Sequence, residues 1–155
     1  MHKNHFILVA IIIAVGLALF FFGRTTSLQA PPDAITRTHE ALKQGKVVVL
    51  VFTEGRWGKG REYLNRVRQA VKEWKRDEVV VIQMDIKSPS EEKVVQILQI
   101  KAEDTPSLWV VGTDGYVYYE GGETLDPERL KGAVHDALTK KPTGTPMGLP
   151  SEEGK

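Results

Sequence analysis

The chain has 155 residues, 21 lysines and arginines against 20 aspartates and glutamates, a formal net charge of +1 and no cysteine. Without thiols it has no disulfide staple, no thiolate nucleophile and no cysteine-ligated metal. The charge balance lacks the basic excess on which nucleic-acid binding depends. The length allows one domain once a targeting segment is set aside.

Met1 to His5 is a short, mildly basic lead. Phe6 to Gly23 follows without a charged or strongly polar side chain. At about 1.5 Å of rise per residue this run nearly crosses a hydrocarbon core of about 30 Å. A core helix that is apolar on every side is not expected at an extreme terminus. A cleaved signal has a shorter apolar region, of about 7–15 residues, and a small-x-small site after it. The best such site ends at Ala30, with Leu28 two residues earlier and Pro31 next, a poor match. A lipoprotein signal requires a cysteine. The expectation is an uncleaved single-pass transmembrane anchor at 6–23 and a linker at 24–32 closed by Pro31-Pro32. Lys3 and the terminal amine favour a cytoplasmic N-terminus, although Arg24 and Arg37 lie on the other side. The main domain is then expected at the cell membrane on the extracytoplasmic, periplasmic side.

Asp33 is placed to cap a helix running to about Gln44, with Ile35 and Leu42 on one face and Gly45 as the stop. Val47-Val48-Val49-Leu50-Val51-Phe52 is the unbroken apolar run of a strand buried on both faces. A glycine-rich turn, Thr53 to Gly60, leads into a segment whose apolar residues Tyr63, Leu64, Val67, Val71 and Trp74 recur at helical spacing. Val79-Val80-Val81-Ile82 is a second buried strand, continued through Asp85. Ser88-Pro89-Ser90-Glu91 has the form of a helix start, with Ser88 at the cap and proline at the first helical position. That helix carries Val94, Val95 and Leu98.

Leu108-Trp109-Val110-Val111 is a third strand, Thr113-Asp114-Gly115 a hairpin turn, and Tyr116 to Glu120 the returning strand. Alternation places about half of Trp109, Tyr116, Tyr118 and Tyr119 in the core. Asp126-Pro127-Glu128 starts a last helix with Leu130, Val134 and Leu138 inward. Residues 140–155, rich in proline, glycine and charge, read as a disordered tail. The crossover rule makes the first two strands parallel, and the last two form an antiparallel hairpin. The fold class is α/β: a mixed four-stranded sheet flanked by helices, preceded by one N-terminal transmembrane helix.

This order, with these residues, resembles the thioredoxin fold over roughly residues 33–139. Family members carry a buried strand ending in phenylalanine, a W-C-x-x-C turn and a long helix. Laid on Phe52, the pattern places the first cysteine at Trp57 and the second at Gly60, with Gly58-Lys59 between them. Thr105-Pro106 looks like the family's threonine and cis-proline, and Gly121-Gly122 like its glycine turn before the last helix. The gap from Ile100 to Pro106 is about two residues longer than the family pattern, so a reshaped loop is expected there. Both cysteine positions are lost. Family redox chemistry needs an attacking thiolate and a resolving thiol, so the resemblance implies a redox-inactive member. It also implies that the family's peptide groove, where backbone beside the cis-proline pairs with an extended segment, survives.

The candidate partner-binding residues are therefore Arg56, Trp57, Gly58, Lys59 and Gly60 with Thr105 and Pro106. Trp57 is either an exposed anchor, as tryptophan and arginine are at binding hot spots, or a ring folded back over the sheet edge. The run Gly55 to Arg61 lacks the spacing and the hydroxyl residue of a phosphate loop. Glu54, Asp85 and Asp104 stand at one edge of the sheet, where solvated carboxylates are the plainer reading. A buried acid under the turn, frequent in the family, has Leu50 and Val51 in its place. His39, His135, His2 and His5 show no ligand spacing, so no metal and no cofactor is expected. The resulting expectation is a membrane-tethered, non-catalytic module that binds a protein partner. The alternatives are a structural subunit held in a membrane complex by its apolar helix, and a thiol-free enzyme built on Glu54, Lys59 or Asp104.

Overall fold

A computed structural model describes residues 32–55 and 57–139, with the backbone of residues 145–146. The expected anchor at 6–23, most of the linker, Arg56 and most of the tail lie outside the described residues. Among the described residues no helix is long and apolar enough to cross a membrane.

The architecture is organised on β1 (Val47–Thr53), in which every residue is buried. Its side chains alternate between two cores, which is why the sequence shows no polar position along it. Val47, Val49 and Val51 pack with Tyr63, Leu64 and Val67 of α2 (Lys59–Ala70) and with Leu130 and Val134 of α4 (Pro127–Thr139). Val48, Leu50 and Phe52 pack with Ala34, Ile35 and Ala41 of α1 (Ala34–Lys43) and Val94 of α3 (Glu92–Leu98). On one side β1 pairs in parallel with β2 (Val79–Asp85), from Val47↔Val79 to Thr53↔Asp85. On the other it pairs antiparallel with β3 (Ser107–Val111), from Val48↔Val111 to Phe52↔Ser107. The hairpin partner β4 (Tyr116–Gly121) completes the expected mixed sheet of four principal strands. Thr145–Pro146 adds β5, a two-residue pairing with Tyr116 and Val117, inside the segment expected to be a tail. The strand order is β2-β1-β3-β4-β5.

Three local features differ from the sequence expectation. The regular part of α2 stops at Ala70, and turns carry Val71 and Trp74 onto the same core. In the hairpin, Val110 faces Tyr119 while Val111 faces Val117, so Tyr118 is an extra, bulged residue. Simple alternation is thereby broken, and Tyr118 and Tyr119 pack against the same core. The third difference is at α3. Ser88 does not cap it: the helix begins at Glu92, and residues 89–91 form a turn in which Glu91 N donates to Ser88 O at 2.9 Å. The Ser88 and Ser90 hydroxyls bond each other at 2.8 Å, and the Glu91 carboxylate is drawn to α1. There both its oxygens accept from Ala34 N, at 2.9 and 3.1 Å. Asp33 caps the same helix end as expected, accepting from Thr36 N at 2.6 Å.

Candidate functional site

The turn that follows β1 is fixed from the neighbouring strand. Parallel pairing sets Asp85 opposite Thr53, and its Oδ1 accepts from Gly55 N at 2.9 Å and from Lys87 N at 3.1 Å. Glu54 at the start of the turn forms an ion pair with Lys87. Gly58 precedes α2 at φ 66° and ψ −139°, a backbone conformation that side chains other than glycine's resist. Between these two fixed points Trp57 is 76% exposed, so its ring is not folded back over the sheet edge. The Arg61 guanidinium lies 5.3 Å from the centre of its ring, within cation–π range. Lys59 opens α2, and its Nζ is 3.6 Å from Glu123 Oε1 on the loop after β4. Arg56 lies outside the described residues.

Gly60 is buried beneath this turn. A Cβ there would lie 2.9 Å from Thr53 Cβ and 3.2 Å from Thr53 Cγ2. Thr53 itself is fully buried and accepts a hydrogen bond from Gln83 Nε2 at 2.8 Å. Since Phe52 pairs with Ser107, continuing the register by one residue sets Pro106 beside Thr53. Gly60, Thr53 and Pro106 thus form a row across the carboxyl end of β1. The Thr105-Pro106 peptide is cis, as the resemblance implied, and Pro106 is buried. Thr105 Oγ1 donates to Ala102 O at 2.8 Å in a 3-10 turn, Ala102–Asp104, which takes up the longer loop before the proline.

On the α1/α3 side of this row the protein has a cleft of about 510 Å³. Its floor is the edge-to-face pair Phe52 and Trp109, with ring centres 5.0 Å apart and planes at 76°. Ser107 lines it, and Glu103, Asp104, Glu120 and Glu123 stand around it. On the opposite side Tyr63 donates from its hydroxyl to Gly122 O at 2.8 Å, tying α2 to the glycine turn. Burial, reinforced by Tyr119, pushes the Tyr63 phenol up to about 12.

Glu54 is paired with Lys87, Lys59 with Glu123, and Asp104 accepts from Lys101 N at 3.3 Å. No two of Glu54, Lys59 and Asp104 are joined, so the structure does not assemble an acid–base pair from them. Asp85 and Asp104 lie on opposite sides of the end of β1. Among the described residues no group of three or more histidines and carboxylates is placed to hold a metal ion. His39 Nε2 is buried without a hydrogen-bond partner, and His2 and His5 lie outside the described residues.

Sequence reasoning found the turn and the proline but missed what holds them. In the sequence Thr53 looks like the first residue of a loop, although it ends β1 and sets the space at Gly60. Asp85 looks like a solvated carboxylate, yet it pins the turn. Arg61 and Glu123, the partners of Trp57 and Lys59, carried no signal of their own. The signal available for Asp85 was register: once β1 and β2 are parallel, equal strand lengths place it opposite Thr53.

No protein-family model matches the chain, and no curated protein sequence matches it. Solved structures do. Thioredoxin f from spinach chloroplast, in its long form, aligns at a TM-score of 0.51 and 18% identity, over 68% of this chain and 82% of that one. Its short form aligns at 0.51 and 18%, over 68% and 88%. A chain of the complex of ferredoxin:thioredoxin reductase with thioredoxin f2 aligns at 0.50 and 20%, over 68% and 90%. Identities this low speak for the fold alone. With its parallel β1–β2 pair, its β3–β4 hairpin and its cis-proline, the chain has the thioredoxin-like fold, and it has it without a single cysteine.

Proposed function

We propose that this protein is a redox-inactive, thioredoxin-like binding module that holds an extended segment of a partner protein across the Trp57 turn and the Thr105-Pro106 loop. The observation that carries the reading is Trp57: a large apolar ring, 76% exposed, on a turn braced by Asp85 and Gly58. Rigid tryptophans beside arginine dominate protein-binding hot spots because they bury much surface with little loss of side-chain freedom. The neighbouring cleft at Ser107, with its aromatic floor, extends that surface past Pro106. Thiol–disulfide exchange by this chain alone is impossible, since no residue supplies a thiolate. The apolar run Phe6–Gly23 supports the further reading that the module is tethered to a membrane, on its extracytoplasmic side.

Site-specific photo-crosslinking in cells, from position 57 and from position 107, tests the groove. One discrete partner crosslinked from both positions is the expected result; no band from either, with the protein folded and in the membrane, sinks it. Replacing Trp57 with alanine is expected to abolish that crosslink from position 107 while changing stability by no more than about 0.5 kcal/mol, as for an exposed side chain. A large loss of stability with the crosslink intact would make Trp57 a packing residue instead. The same apolar run favours a second reading, a structural subunit held in a membrane complex through residues 6–23. Exchanging that run for an unrelated anchor separates the two: retained function favours the soluble domain, and lost function favours the helix.

A further inference from the structure

Among the described residues strand β2 ends the sheet, and no strand pairs with its outer edge. Glu78 O accepts from Val47 N and Ile86 N donates to Thr53 O, so the even-numbered backbone groups of this strand face β1. The odd-numbered groups face away: Val79 N donates to Lys75 O, and Gln83 O accepts from Arg37 Nη2 at 3.0 Å. By the same alternation, Val79 C=O, Val81 N–H and C=O and Gln83 N–H point outward, and no other strand lies beside them among the described residues. Natural sheets blunt such an edge with lysine, proline, a bulge or a very short strand. Val79-Val80-Val81-Ile82 has none of these, and β2 is as long as β1.

Beside the amino half of this edge lies a cleft of about 660 Å³ with Trp74, Val79 and Val81 among its apolar walls. Three cations line it, Arg68, Lys72 and Arg76, and no carboxylate does. All three are exposed, and none is in an ion pair among the described residues. We infer that this edge and cleft are a docking surface for an extended segment of a partner protein, which adds a strand along Val79–Gln83 and sets carboxylates opposite Arg68, Lys72 and Arg76. Strand addition satisfies the outward backbone groups, and the cations select the sign of the segment's charge. The same charge argues against the two nearer occupants. A second copy paired through its own β2 would bring the same three cations to the contact. Residues 24–31 of this chain carry Arg24 and no carboxylate. The surface lies at the amino end of β2, whereas the Trp57 turn follows the carboxyl end of β1, so a partner here is additional to the one held by the turn.

Hydrogen exchange at the Val81 and Gln83 amides of the full chain in detergent micelles tests this. The probes are a peptide about eight residues long alternating valine with glutamate, and its counterpart with lysine. Both amides are expected to exchange freely without peptide, and to slow at least about tenfold with the glutamate peptide but not the lysine one. The charge reversal R68E/K72E/R76E, checked for native secondary structure, is expected to abolish the response to glutamate and create one to lysine. Protection already present in dilute, peptide-free protein would overturn the inference in favour of a segment of the chain itself, residues 24–31 or the stretch with Glu152 and Glu153. Protection that appears only as the chain is concentrated would overturn it in favour of a second copy. An equal response to both peptides, or none to either, also overturns it.

Discussion

Gly60 shows how closely the packing beneath the turn confines a single residue. The buried Thr53 methyl and methine fill the space into which any side chain at position 60 would project, with a closest approach of 2.9 Å. Overpacking of this kind costs about 1–3 kcal/mol, from which alanine's helical preference over glycine returns about 1 kcal/mol. Gly60→Ala is therefore expected to lower stability by about 1 kcal/mol, read as a lower urea midpoint at unchanged slope. A midpoint equal to or above the parent's would mean that Thr53 yields freely. The variant W57C/G60C, which places cysteines at both family positions, is expected to carry the same cost relative to W57C. Of this site, the sequence made the turn and its two non-cysteine positions legible by analogy of pattern. It did not disclose Thr53 or Asp85 as the groups that shape them, because a side chain bonded to backbone 30 residues away leaves no periodic trace.

At the scale of elements, α1 and α3 are joined by a buried carboxylate. Glu91 is 5% exposed, and its two oxygens share the Ala34 N–H at the start of α1, close to the Asp33 cap. Burial pushes the Glu91 carboxyl above its ordinary value, and the charges of Asp33 and Asp85 add to this; the Ala34 bond and Arg37 work the other way. A carboxyl raised in the folded state contributes most below its unfolded value and loses that contribution as pH rises through the folded one. Glu91→Gln keeps an acceptor for Ala34 N–H and has no proton to release. It is expected to be at least as stable as the parent at pH 7 and to flatten the decline in stability above about pH 4.5. Glu91→Ala loses the acceptor altogether and is expected to cost about 1 kcal/mol, as a lost helix cap does. Denaturation midpoints of the three proteins across that pH range check both statements; a Gln variant with the parent's slope would clear Glu91 of the effect. The same carboxylate explains why α3 begins later than Ser88-Pro89-Ser90-Glu91 suggests. A capping box requires its glutamate to turn back on the local backbone, and here the glutamate is taken by a helix 57 residues earlier in the chain. Strand β1, by contrast, was legible from its first to its last apolar residue, since burial on both faces leaves nothing polar to interrupt it.

In the whole molecule that strand is shared by two cores. Successive residues of β1 belong alternately to the α2/α4 core and to the α1/α3 core, so each face rests on the strand that supports the other. Each face also has its own tryptophan: Trp74 packs against the first core and Trp109 against the second. Leu50 is fully buried on the α1/α3 side. Leu50→Ala is expected to cost about 2–5 kcal/mol through lost contacts and the cavity left behind. If the cores are coupled through β1, the loss reaches the opposite face undiminished. In variants that keep Trp74 or Trp109 as the sole tryptophan, the two fluorescence transitions should then coincide, both in the parent background and with Leu50→Ala, which shifts them to lower denaturant together. Two separated transitions, with Trp74 still native after Trp109 has been released, would show that the α2/α4 face holds β1 by itself. The site would then rest on that half of the molecule alone, because Tyr63 on α2 is what fastens the glycine turn beside Pro106.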